Sequence, residues 1–237
     1  MAISNSLINN SFKISDGVAQ IRERVAQAAQ RSRRDPGEVE IVAISKFVSP
    51  ERIAEAIQAG IGILGENRVQ ELLAKYPVVQ SPAAWHLVGR LQTNKVKPII
   101  GKVDLIHSLD RYALAAEIAK QTRAAGTRVN VLVQVNVSGE PSKQGLKPME
   151  VMPFLEQIAP LEGLAVKGLM TIAPQGDPQA ARMVFREMRQ LFTQVAQAEI
   201  AQVEMRYLSM GMTDDFEAAI EEGANLVRIG TGIFGKR

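Results

Sequence analysis

The tightest constraint on this chain's fold is an alternation that never lapses. From residue 40 to residue 229, short apolar or β-branched runs take turns with stretches of helical periodicity. Strand-then-helix order favours a parallel sheet, because every crossover returns the chain to the same end. The runs fall at residues 40–46, 61–65, 85–88, 105–107, 128–137, 165–172, 205–208 and 225–229. Eight units within 237 residues fit closure into a single (β/α)8 TIM-like barrel, typically about 250 residues long. A doubly wound open sheet is the alternative. The run at 128–137 is the longest, with Val129, Val131, Val133 and Val135 on one face.

An extra N-terminal helix precedes the repeat. Val18, Ile21, Val25, Ala28 and Ala29 recur at three- and four-residue steps, which predicts an amphipathic helix over about 15–33. Ser49-Pro50-Glu51, Asp110, Asp177-Pro178 and Thr213-Asp214-Asp215 read as helix starts. Residues 92–100 also read as a helix. Residues 1–14 are rich in Ser and Asn and read as a flexible tail, which leaves 15–237 as one barrel domain.

Composition narrows the chemistry. The chain has no Cys and only two His, His86 and His107, so neither a thiolate nor a His-based metal centre is expected. A net charge of +3, with no basic cluster among aromatics, gives no footprint for nucleic acid. No apolar run approaches the roughly 18 residues of a membrane span. No signal peptide opens the sequence, and the expected compartment is the cytoplasm.

The first run, Glu40-Ile41-Val42-Ala43-Ile44-Ser45-Lys46, reads as a strand buried on both faces and ending in a lysine. Two readings are open for Lys46. It is a side chain snorkelling to water, or a desolvated amine able to condense with a carbonyl. Barrel active sites lie at the C-terminal ends of strands, and loops seven and eight often grip phosphate. Those loops are Ser209-Met210-Gly211-Met212-Thr213 and Gly230-Thr231-Gly232-Ile233-Phe234-Gly235. The second matches G-x-G-x-x-G, but too little chain follows for a dinucleotide fold. Arg228 shares a face with Leu226 and Gly230 under period-two alternation. If that face points inward, a guanidinium sits near the mouth, and beside Lys46 if strands one and eight close the barrel. A lysine, a phosphate cradle and a cationic donor together suit a phosphorylated aldehyde. Pyridoxal 5′-phosphate fits, as an imine to Lys46.

Several blocks also resemble one known family. They are Val42-Ala43-Ile44-Ser45-Lys46, Gly65-Glu66-Asn67 with Val69-Gln70-Glu71, His86-Leu87-Val88-Gly89 with Leu91-Gln92 and Asn94-Lys95, Lys167-Gly168-Leu169-Met170-Thr171, Ser209-Met210-Gly211-Met212 and Arg228-Ile229-Gly230. In order and spacing they resemble the pyridoxal phosphate homeostasis proteins (YggS/PROSC type), from about residue 16 to residue 235. Phe47-Val48 departs from the Thr-Lys pair that follows the lysine in that pattern. The resemblance implies a barrel similar to the alanine racemase N-terminal domain, with the cofactor on Lys46. It implies Asn67, His86 and Met170 around the ring, Ser209, Gly211, Gly230 and Thr231 at the phosphate, and Arg228 at the pyridine nitrogen. An arginine there disfavours protonation of the ring and weakens it as an electron sink. No second acid/base for racemisation is evident, and no β-domain is expected after Arg237. The expected function is therefore a non-catalytic monomer that buffers and delivers the cofactor to apo enzymes, with effects on vitamin B6 and amino-acid balance. A cofactor-dependent racemase and a cofactor-free class I aldolase are the alternatives.

Overall fold

The computed structural model describes residues 12–141 and 143–235. Eight parallel strands close into a barrel in chain order. They are β1 (Glu40–Ile44), β2 (Ile63–Glu66), β3 (Ala84–Leu87), β4 (Leu105–Leu109), β5 (Val129–Gln134), β6 (Leu164–Met170), β7 (Val203–Met212) and β8 (Leu226–Ile229). The seam is closed by β8 pairing with β1, where Val42 lies opposite Arg228. The α-helices are α1 (Ile14–Arg31), α2 (Pro50–Gln58), α3 (Val69–Lys75), α4 (Tyr112–Ala124), α5 (Val151–Ile158), α6 (Pro178–Gln197), α7 (Phe216–Glu221) and α8 (Thr231–Phe234). The expected barrel is thus the observed one. Residues 1–11 of the expected tail lie outside the described residues, and α1 begins within its last residue.

Period-two alternation sorts the strand side chains into two cores. Val42, Ile44, Leu105, Leu132, Met170 and Leu226 fill the inside of the barrel. Their neighbours, among them Ala43, Leu64, Ile106, Val131, Val133, Leu208 and Val227, point outward under the helices. Apolar side chains thus lie on both faces of the sheet, the burial pattern of a parallel sheet covered on its outside. The valines at 129, 131, 133 and 135 all belong to the outer core.

Three expectations change. Residues 92–100 form two 3₁₀ turns, Thr93–Lys95 and Lys97–Ile99, because Pro98 has no N–H to continue an α-helix. The longest strand is β7, at ten residues, and not the run at 128–137. Strand β7 also takes in Ser209 to Met212, which the sequence placed in a loop. Among the described residues no helix is long and apolar enough to cross a membrane, and no group of His, Cys, Asp or Glu is arranged to hold a metal ion.

Candidate functional site

Strand β1 ends at Ile44, so Lys46 sits in the turn just beyond it, half-buried at the C-terminal mouth. That turn is held in an unfavourable shape. Phe47 adopts φ 60°, a left-handed conformation that bulky side chains avoid. The restraint comes from an ion cluster on the outer side of the wall. Lys75 Nζ donates to the Ser45 carbonyl at 2.7 Å, and the Phe47 N–H donates to Glu71 Oε2 at 2.8 Å. The Ser45 hydroxyl donates to Glu66 Oε1 at 2.7 Å. Lys75 in turn pairs with Glu66 at 2.7 Å and with Glu71 at 3.1 Å. Both residues flanking Lys46 are thus pinned to one buried cluster. Burial pushes the Glu66 carboxyl up, against hydrogen bonds from Lys75 and Ser45. Glu66 Oε2 is buried without a partner.

A second network runs across the inner wall. Arg228 is buried and points inward, on the same face as Leu226. Its Nη1 donates to Ser209 Oγ at 2.7 Å and its Nη2 to the Thr171 carbonyl at 2.8 Å. Ser209 Oγ lies 3.2 Å from His107 Nδ1, and His107 Nε2 lies 3.1 Å from His86 Nδ1. Among the described residues no carboxylate forms an ion pair with Arg228, although Asp215 is near enough to favour its charge. Burial draws the guanidinium down to about 10, so it remains a cation at neutral pH. Burial pushes His86 down to about 3. His107 falls well below the usual histidine range through burial first, then through competition with His86 for a proton and the charge of Arg228.

The remaining candidates divide by position. Met170 lies in the inner core beside Val42 and Ile44. Asn67 occupies the bend after β2 and lines a cavity of about 300 Å³ with Val88, Gly89, Gln134, Lys143 and Ile172. Gly89 is required there, since a Cβ would fall 2.1 Å from the Asn67 carbonyl oxygen. Ser209 is fully buried, with its hydroxyl turned into the Arg228 network instead of an open loop. Gly211 has φ 91°, and a Cβ would lie 2.6 Å from Ala219 Cβ, so α7 packs directly on it. Gly230 caps α8 and its N–H donates to Thr213 Oγ1 at 3.3 Å, while Thr231 is exposed. The β1–β8 seam brings Lys46, Gly230 and Thr231 to one stretch of rim, with Arg228 one level below.

Sequence reasoning missed His107, Glu66, Glu71 and Lys75 as members of the site. Alternation held a signal for His107, which shares a face with the inward Leu105. The i,i+4 spacing of Glu71 and Lys75 held another.

Fold and site together define a class, the single barrel with a rim lysine after β1 and an inward arginine on β8. The family described as "Alanine racemase, N-terminal domain" matches residues 18–237. A pyridoxal phosphate homeostasis protein of Aquifex aeolicus is 45% identical over 222 residues, covering 93% of this chain and 96% of its own length. The structure of a Bifidobacterium adolescentis protein superposes with a TM-score of 0.89 at 35% identity, over 93% of this chain and 94% of that one. The structure of PipY from Synechococcus elongatus, with pyridoxal phosphate bound, gives 0.82 at 32% identity over 94% and 100% of the two chains. The chain belongs to the pyridoxal phosphate homeostasis protein family.

Proposed function

We propose that residues 15–237 form one domain that binds pyridoxal 5′-phosphate and passes it on without turning over amino acids itself. One observation carries the reading: Arg228 is a buried cation whose hydrogen-bond partners, among the described residues, are all neutral. Burying a charge whose hydrogen bonds all go to neutral groups is costly, with Asp215 offsetting it only through space, and a ligand carrying an acceptor or an anion offsets the cost further. The donor set fits this cofactor. An amine sits at the rim, a permanent cation lies below it, and Val42, Ile44 and Met170 offer apolar contact for a ring.

In this reading Lys46 supplies the amine that bonds to the aldehyde, and Arg228 donates to the pyridine nitrogen. Asn67, His86 and Met170 surround the ring. Gly230 and Thr231 hold the phosphate, backed from β7 by Ser209 and Gly211. When bound, the cofactor supplies an electron sink for chemistry at amine carbons. Arg228 works against that sink, because a guanidinium that stays protonated keeps the ring nitrogen unprotonated. Storage and delivery suit such a site better than carbanion chemistry. The protein acts as a cytoplasmic monomer whose recipients are apo enzymes that use the same cofactor, with effects on vitamin B6 and amino-acid balance.

The test loads the protein with pyridoxal phosphate, removes the free cofactor, and adds an apo enzyme of this class. Recovery of the recipient's activity, with no racemisation of alanine or serine at ordinary enzymatic rates, is the expected result. Fast racemisation without transfer overturns the reading in favour of a racemase.

A further inference from the structure

The chain Arg228–Ser209–His107–His86 has two possible proton orders. In one, Ser209 donates to His107 Nδ1, His107 Nε2 donates to His86 Nδ1, and His86 carries its proton on Nε2. In the other, every one of those donations is reversed. Both histidines are neutral, so each holds a single proton and the whole chain switches together.

Two features choose the first order. Arg228 can only donate, so Ser209 Oγ already accepts from Nη1. Reversal would make that oxygen accept twice and leave the Ser209 hydroxyl proton without an acceptor, in a residue with no exposure. A buried donor left unmet is unfavourable. The second feature is charge. Reversal would point His107 Nδ1–H toward the guanidinium, whereas the first order turns every donor away from it. Hydrogen-bonded chains in a low-dielectric interior polarise in the sense that a terminal charge dictates.

The far end of the chain is His86 Nε2. It makes no hydrogen bond to the described residues, yet Glu66 Oε2 is the sole buried unpartnered side-chain N or O atom among them. His86 Nε2 therefore keeps some exposure.

We propose that Ser209 and His107 are positioning residues that fix one direction of proton donation, so that His86 presents Nε2–H as a permanent donor to an anionic oxygen of the ligand at the mouth. This rests on the cofactor reading above for the ligand, but the direction of the chain does not. A ring phenolate and a phosphate both supply such an oxygen.

Because the sequence has only two histidines, ¹⁵N-histidine labelling resolves the question in the full-length protein. Long-range proton–nitrogen spectra of the cofactor-free protein are expected to show both rings neutral and protonated on Nε2. Ser209→Ala is expected to mix the His107 tautomers, and Ser209→Thr, which keeps the hydroxyl, to restore them. Protonation on Nδ1 of either ring overturns the inference. Separate titrations with pyridoxal 5′-phosphate, pyridoxal and inorganic phosphate then identify the acceptor. A downfield shift of the His86 Nε2–H with pyridoxal assigns the ring oxygen, and one with phosphate assigns the phosphate oxygen. A visible cofactor band with an unmoved His86 proton overturns the donor role. Absence of any band, with both tautomers as expected, overturns the cofactor reading alone.

Discussion

The two polar networks beside the barrel mouth follow opposite electrostatic plans. Outside the wall, Glu66, Glu71 and Lys75 form a compact ion cluster drawn from β2 and α3, and it grips the backbone on both sides of Lys46. Inside, one cation on β8 is answered by a hydroxyl, a carbonyl and two neutral imidazoles reaching across to β3. The outer network sets two carboxylates against one lysine, leaves Glu66 Oε2 without a partner, and serves to set geometry. The inner one gives its charge no carboxylate to hydrogen-bond, and Asp215 acts on it only through space. Among the described residues the Lys46 amine makes no hydrogen bond or ion pair, and Arg228 hydrogen-bonds only neutral groups.

The largest effect is expected where an ion pair is broken. Lys75→Met strands the fully buried Glu66, and losing one partner of a buried pair costs about 3–5 kcal/mol. Denaturant unfolding reads the loss directly. Glu66→Gln combined with Lys75→Met should recover much of it, since the fully buried lone charge is then gone and only the partly exposed Glu71 has lost its lysine. A single-mutant loss below about 1 kcal/mol would erase the contrast drawn here.

Arg228→Met comes next. It leaves Ser209 Oγ and the Thr171 carbonyl without that donor and takes from Asp215, whose carboxyl burial pushes up, a charge that draws it down, so the expected cost is about 1–3 kcal/mol. Its stability loss should be smaller than that of Lys75→Met, and its loss of cofactor affinity larger. The reverse ranking in either measurement would break the comparison.

Acid separates the networks by sign. Unfolded, His86 titrates near 6.5; folded, near 3. The folded state therefore binds fewer protons between those values, and the stability present above 6.5 is lost as pH falls toward 3. Glu66 acts oppositely. Its folded pKa is raised above 4.5, so its contribution is full below that value and is lost as pH rises through the folded pKa. Acidification should thus weaken the inner network first. Unfolding midpoints followed from neutral to acid pH should fall, and less steeply in His86→Gln.

The mildest effect belongs to Phe47. Asparagine tolerates positive φ, so Phe47→Asn should change stability by no more than about 1 kcal/mol, with lost contact to Arg68 offsetting the relieved strain. Thermal unfolding checks this, and a large loss would mean that the ring itself holds the turn.

The same contrast explains what the sequence revealed. The barrel was legible from unbroken alternation, whereas for Arg228 parity gave only a shared face with Leu226, and the structure decides that this face is the inner one. Lys46 was legible as the polar end of an apolar strand. The outer cluster was not, because Ser45 and Glu66 meet only when β1 pairs with β2. His107 was not, because one partner comes from the paired strand β3 and the other, Ser209 on β7, only from across the closed barrel. The helix expected at 92–100 failed through Pro98, and the loop expected at 209–213 failed because β7 runs on to the surface where α7 packs on Gly211.

The central claim, an amine at the rim engaged above a buried cation, meets its most direct test in a visible-absorption titration with pyridoxal 5′-phosphate. Wild type should turn yellow, with a band that borohydride bleaches. Lys46→Ala should unfold at the same temperature and show no such band. An equal, borohydride-sensitive band in Lys46→Ala, or a colourless wild type at saturating cofactor, would contradict the account.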